Sequence, residues 1–302
     1  MSAAQGAASG SQPDCRTLAR AEWPDLRLAY NTAGEGDAPV LLIMGYTVPG
    51  SAWVHQIPAL RERHPVAWYD HRGCGDSQAE PGAYTMELLA GDAERLLDHL
   101  GWETAHIVGV SMGGMVAQEL ALRCPERVRS LSLIATHAGG MRSRLPTLAG
   151  VAGFLRANLG ARSERMANLE RLLFPEAYLA TCDRQWLSEV LKNDFGRPIH
   201  PKYRLSQLAA VMRHDTRDRL HQLGGIPTLV VKPALDKLVN PEACEQLGWR
   251  IPGARLKVYP DAGHGVIRQC AAELNRDLLE HFASVDANAR AQHTGSGASP
   301  FN

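Results

Sequence analysis

The chain has 302 residues, enough at about 150 per domain for one large core carrying an insertion. Its 32 Lys and Arg balance 32 Asp and Glu, which argues against a nucleic-acid partner, since such proteins carry a basic excess. With 45% hydrophobic and 21% charged residues the composition is globular, which excludes a mostly disordered chain.

Residues Met1 to Pro13 are rich in Ala, Gly, Ser and Gln and have neither a basic start nor an apolar stretch. They do not read as a secretory signal, so we expect a flexible N-terminus over 1–20 and a cytoplasmic location. No segment offers the ~20 consecutive apolar residues of a membrane span. Six scattered cysteines (Cys15, Cys74, Cys124, Cys182, Cys244 and Cys270) lack metal-site spacing and read as free thiols.

Short apolar runs alternate with helical patterns, the signature of a mostly parallel sheet covered by helices. Strands are expected at Leu26–Thr32, Pro39–Gly45, Val66–Asp70, Ala105–Val110, Val128–Ala135, Pro227–Val231 and Ala254–Tyr259. Between them, Leu89, Ala93, Leu96, Leu97 and Leu100 form one apolar stripe of a helix that Thr85 can cap and Gly101 can end. A later helix starts at Asn240-Pro241, and a last one buries Ile267, Ala271, Leu274, Leu278 and Phe282. From 141 to 222 the alternation stops and only helices are expected, with breaks at Gly160, at Pro175 and between Gly196 and Pro201. This block reads as a cap inserted into a core formed by 21–140 and 223–285, and 286–302 reads as a disordered tail.

The strongest chemical signal is Gly109-Val110-Ser111-Met112-Gly113, a G-x-S-x-G between an apolar strand and a helix-like run. Such a cramped turn projects the serine hydroxyl outward, and its glycines let two backbones approach. A serine hydroxyl needs a base, and that base needs an orienting carboxylate. His264, in the loop Asp261-Ala262-Gly263-His264-Gly265, is the candidate base; Asp236, after the preceding strand, is the candidate acid. Asp261 is the rival, but it sits only three residues before the histidine in the same loop.

These residues, in the order Ser, Asp, His, resemble the α/β-hydrolase superfamily over about Leu26 to Phe282. Asp70-His71-Arg72-Gly73-Cys74-Gly75-Asp76-Ser77 is similar to that family's D-x-R-G-x-G-x-S turn, and Met44-Gly45-Tyr46 stands where the family usually has His-Gly-x. Aclacinomycin methylesterase-type members look similar at Met44, and core and cap together resemble enol-lactonases, small carboxylesterases and C–C hydrolases. The resemblance implies an oxyanion hole made by the backbone N–H groups of Tyr46 and Met112. Lys232-Pro233-Ala234 departs from the usual His-Gly pair before the acid.

The expected activity is cofactor-free cleavage of a small, mainly apolar carboxylic ester or lactone through an acyl-enzyme on Ser111. The same triad also serves C–C hydrolases, thioesterases, acyltransferases and perhydrolases, and a ligand-binding receptor on this scaffold is the non-enzyme alternative. Gly45, Thr136, His137, Val239 and Val266 are expected to line the substrate pocket, with no metal ligands. The partner is then a small molecule, with neither nucleic acid nor membrane involved and a monomer or homodimer in solution.

Several residues have plainer readings. Arg72 and Asp76 should hold a turn, Cys74 should fill it, and His71 should be structural. His214-Asp215 is expected on the solvated face of an Arg-rich helix, Arg213–Arg219. Phe154, Trp186, Tyr203 and Met212 should mostly be packing residues of the cap. Residues 141–222 hold 14 Lys and Arg against 8 Asp and Glu, so the cap is basic and the rest acidic. We expect this charge to dock the cap, in preference to Arg142, Arg144 and Arg156 drawing in an anionic substrate.

Overall fold

The structure, a computed structural model, describes residues 18–140, 150, 152–153 and 162–295. Its strands are β1 (Ala19–Trp23), β2 (Leu26–Ala33), β3 (Val40–Ile43), β4 (Val66–Tyr69), β5 (Gln78–Ala79), β6 (Ala105–Val110), β7 (Val128–Ile134), β8 (Thr228–Pro233) and β9 (Arg255–Tyr259). They form one sheet in the order β1-β2-β4-β3-β6-β7-β8-β9, with β5 added to β2. Strands β3, β4 and β6 to β9 are parallel, and β1, β2 and β5 pair antiparallel at one side.

The central strands are apolar throughout because both faces are covered. Every residue of β3 and β6 is buried. Alternate side chains divide between two cores. Leu41, Ile43, Ile107, Leu131 and Leu133 meet helices α2 (Met86–His99) and α3 (Met112–Arg123). Val40, Leu42, Val108, Val110 and Val231 meet α1 (Ile57–Leu60) and the C-terminal helix through Leu274, Leu278 and Phe282. Helix α2 begins where Thr85 Oγ1 accepts the Leu88 N–H at 3.1 Å and is followed by Gly101 at φ 67°.

Between β7 and β8 the described residues contain four longer helices, α4 (Arg162–Leu173), α5 (Glu176–Thr181), α6 (Arg184–Phe195) and α7 (Pro201–Arg213). Leu173, Phe174, Leu179, Leu187 and Leu191 give them a small core of their own. Pro175 caps α5 as expected, while Asp183 starts α6 by accepting from Gln185 and Trp186, a break the apolar pattern did not reveal. Gly160 and Phe154 lie outside the described residues. Helix α7 is tied to the core: the Tyr203 hydroxyl donates to Ala79 O at 2.7 Å and Ser206 Oγ donates to Gly82 O at 2.5 Å.

Four sequence expectations are corrected. Helix α8 (Pro241–Arg250) starts as expected, but the last helix is two, α9 (Val266–Gln269) and α10 (Ala271–Gly295), because Cys270 leaves helical geometry at φ −119° and ψ 33°. The tail expected to be disordered continues α10 to residue 295, since Asp286 accepts from Arg129 at 2.7 Å and is buried against the sheet. The flexible segment expected over 1–20 gives way at Ala19, where β1 pairs with β2. No Arg213–Arg219 helix forms: α7 ends at Arg213, and Asp215 instead bridges to Gly139. His214 is consequently buried beside Glu119, 3.7 Å away, and does not face solvent.

The turn after β4 is held by several polar bonds. Asp70 accepts from Gly50 N at 2.7 Å and Asp76 N at 2.8 Å, and Ser77 Oγ donates to Asp70 O at 2.7 Å. Arg72 forks onto Asp92 of α2 with two bonds of 2.6 Å, both side chains being almost wholly buried. Burial pushes the Cys74 thiol well up, leaving it an inert filler of this turn. Removing one partner of a buried pair strands the other, so Asp92→Ala should destabilise the fold by about 3 kcal/mol in urea unfolding. A change smaller than about 1 kcal/mol, the range of exposed pairs, would contradict this reading.

Candidate active site

The elbow is set by steric demands. Ser111 has φ 55° and ψ −122°, a left-handed strain for a residue with a side chain. A Cβ on Gly109 would lie 2.3 Å from Gly113 O, and one on Gly113 would lie 2.1 Å from Ile43 O. Only glycine allows β6, α3 and β3 to approach this closely. The Thr136 hydroxyl donates to Ser111 O at 2.7 Å from beneath, and its methyl and Cβ fill the space that a Gly114 side chain would need. Met112 is the first residue of α3, so its N–H sits at the positive end of that helix.

His264 and Asp236 come together from two loops. His264 Nδ1 lies 2.7 Å from Asp236 Oδ2, while Asp236 Oδ1 accepts from Leu238 N at 2.8 Å and Val239 N at 3.0 Å. The carboxylate is thus oriented on both oxygens, and the departure at Lys232-Pro233-Ala234 does not move it. Lys232 turns instead to Glu245. Asp261 is exposed, and its carbonyl accepts from Gln269.

Ser111 and His264 both line one cavity of about 880 Å³ at the carboxyl end of the parallel strands, where ligands gather in such sheets. Gly45 and Tyr46 line it as well. A Cβ on Gly45 would stand 3.3 Å from Ser111 Cβ, so this loop lies directly over the serine.

The loop has a brace that the motifs did not reveal. His71 Nε2 lies 2.8 Å from Met44 O, a pairing in which the imidazole must donate. Burial pushes the His71 pKa down to about 4, so the ring stays neutral. Thr47 N donates to Gln207 Oε1 of the cap at 3.0 Å, fixing the far end of the loop. The position of His71 directly after β4 was the one available sequence signal.

The cavity wall differs from the sequence expectation. Gly45 is on it, but Thr136, His137, Val239 and Val266 are not. Thr136 supports the elbow from below. His137 is buried, its Nδ1 accepting from Gly139 N and its carbonyl accepting from Gln118. Val239, in the loop before α8, and Val266, the first residue of α9, pack into the two cores instead. The cap supplies much of the wall in their place, including Met166, Leu172, Phe174, Phe195 and Ile199. Trp186, Tyr203 and Met212 are not on it: Tyr203 packs against the core as expected, whereas Trp186 and Met212 are exposed, and Arg142, Arg144 and Arg156 lie outside the described residues.

Glycines flank the histidine for a reason legible only in three dimensions. Cβ atoms on Gly263 and Gly265 would lie 2.6 Å from Leu173 O and 2.3 Å from the Phe174 ring. Gly265 N donates to Leu173 O at 2.9 Å, so the end of α4 closes over the His264 loop. Nearby, buried Arg268 of α9 pairs with Asp194 of α6, linking core to cap at the cavity wall.

Among the described residues, His64, His106 and Asp286 are the one set whose ligand-type atoms lie within 4.8 Å of one another. They sit at the opposite end of β6 from Ser111, and Arg129 already holds Asp286 at 2.7 Å. Their visible role is to anchor α10 to the sheet.

Residues 38–267 match the alpha/beta hydrolase fold family, and the chain belongs to it. A protein of Azorhizobium caulinodans, provisionally named carbamate hydrolase RutD, is 31% identical over 87% of this chain and 97% of its own. Among solved structures, the enol-lactonase from Burkholderia xenovorans LB400 superposes with a TM-score of 0.75 at 26% identity, covering 88% of this chain and 100% of that one. A hydrolase from Pseudomonas aeruginosa PA01 gives 0.74 at 29% identity, covering 89% and 99%.

The two candidate acids make opposite predictions. Asp236→Asn should lower kcat on an activated ester by roughly 10²- to 10⁴-fold, because the imidazole loses both its orientation and its countercharge. Asp261→Asn should change it less than about threefold, as for a surface substitution. A reversed order in steady-state assays would reject Asp236 as the orienting carboxylate.

Proposed function

We propose that this protein is a serine hydrolase that cleaves a carboxylic ester or lactone of a small, mainly apolar substrate through an acyl-enzyme on Ser111. The observation that carries this reading is the 2.7 Å pairing of His264 Nδ1 with Asp236 Oδ2, with His264 on the wall of the cavity that also holds Ser111. With Nδ1 engaged, Nε2 is the nitrogen left to work as base. The names of two similar proteins, a carbamate hydrolase and an enol-lactonase, support attack on an acyl carbon bearing a heteroatom leaving group.

The steps balance with substrate and water alone. Ser111 Oγ bonds to the carbonyl carbon and its proton passes to His264 Nε2, while Asp236 stabilises the imidazolium. The oxyanion accepts from the N–H groups of Tyr46 and Met112. Collapse breaks the bond to the alcohol, which leaves with the proton from His264. Water then attacks the acyl carbon, gives a proton to His264, and that proton returns to Ser111 as the acid departs.

Ser111→Ala removes the nucleophile without altering a packed core, so turnover of a short p-nitrophenyl ester should fall by roughly 10³-fold or more. A fluorophosphonate should label the wild type at Ser111, as read by peptide mass spectrometry. Undiminished turnover in the alanine variant would end the acyl-enzyme proposal, and a wild type without steady turnover would favour a ligand-binding receptor.

A further inference from the structure

The cavity shared by Ser111 and His264 has more cations than anions in its lining. Its described lining carries five cations, Arg165 of α4, Lys192 of α6, Arg197, Arg204 of α7 and Arg268 of α9, against a single carboxylate, Asp194. Asp194 is already paired with buried Arg268.

Docking of the cap accounts for part of this charge. Arg197 reaches Asp76 of the core at 2.6 Å. Arg204 lies beside the loop over Ser111. Its carbonyl accepts from the Tyr46 hydroxyl at 3.2 Å, on the loop that lies over Ser111. Its guanidinium is near enough to oppose the rise that burial imposes on the Tyr46 phenol pKa. The neighbouring residues Tyr203, Ser206 and Gln207 each bond to the core, so this turn of α7 is held rigidly against the site.

We propose that Arg204 is a specificity-determining residue that binds a carboxylate on the substrate, at the far end of an apolar body from the carbonyl attacked by Ser111. Lys192 and Arg165 add to the field that draws the anion in. This assignment rests on the ester-hydrolase reading above and narrows its substrate class to carboxylate-bearing esters or lactones. A single exposed pair contributes little, but like charges around a concave, apolar-walled cleft focus their field on its interior. The planar fork of arginine suits a carboxylate, and the apolar walls suit the rest of the molecule.

The test compares two esters of equal length, the mono-p-nitrophenyl ester of glutaric acid and p-nitrophenyl valerate, at low and high salt. In the wild type the anionic ester should have the larger kcat/KM by roughly tenfold, the effect of one charge pair within a partly dry cleft. That advantage should shrink as ionic strength rises. Arg204→Gln should lower the anionic-to-neutral ratio by about tenfold, mostly through KM of the anionic ester, and Arg204→Lys should restore much of it. An unchanged ratio in Arg204→Gln, or equal salt dependence for both esters, overturns the carboxylate assignment. Turnover of both esters that survives Ser111→Ala would instead overturn the hydrolase reading on which it rests.

Discussion

The contact that organises this molecule is the approach of the α3 N-terminus to the end of β3. A Cβ on Gly113 would stand 2.1 Å from Ile43 O and 2.6 Å from Met44 O, so no other residue permits the packing. That approach compresses the strand-to-helix turn and holds Ser111 at a positive φ. The cost of such strain is on the order of 1–3 kcal/mol and is borne by the surrounding core. In return, the serine, the first N–H of α3 and the Gly45-Tyr46 loop converge on one point, with the Gly45 position 3.3 Å from Ser111 Cβ.

A second layer of polar bonds keeps that convergence in place. Neutral His71 holds the Met44 carbonyl, and Asp70 gathers the N–H groups of Gly50 and Asp76. Arg72 and Asp92 lock the same turn to α2. Buried polar groups of this kind are costly when a partner is lost, and here the partners come from four separate segments. The loop that faces the substrate is therefore rigid for reasons that lie beneath it.

The cap contributes the other half of the site. Leu173 and Phe174 close on Gly263 and Gly265, which fixes the His264 loop from above while Asp236 fixes the imidazole from behind. Arg268 and Asp194 join core and cap where both line the cavity. Burial opposes both charges, raising the Asp194 pKa and lowering that of Arg268, and their mutual attraction offsets it. Most of the apolar wall comes from the cap, whereas Ser111, Asp236 and His264 belong to the core.

By itself the sequence determined what depends on local pattern: the buried strands β3 and β6, the Thr85-capped helix, the G-x-S-x-G elbow, and the order of Ser111, Asp236 and His264 along the chain. Apolar runs and glycine spacing carry that information because strand burial and tight turns each leave their pattern within a few consecutive residues. The tertiary structure alone decided which acid reaches the imidazole, which histidine braces the Met44-Gly45-Tyr46 loop, and which residues face the cavity. Thr136, His137 and Val239 sit in loops after strands and Val266 at the first residue of a helix, where side-chain direction follows packing and not a repeat. The polar end of α10 looked like a tail because its helix is held by Arg129 and His106, far away in the chain. No local rule registers a partner 157 residues distant.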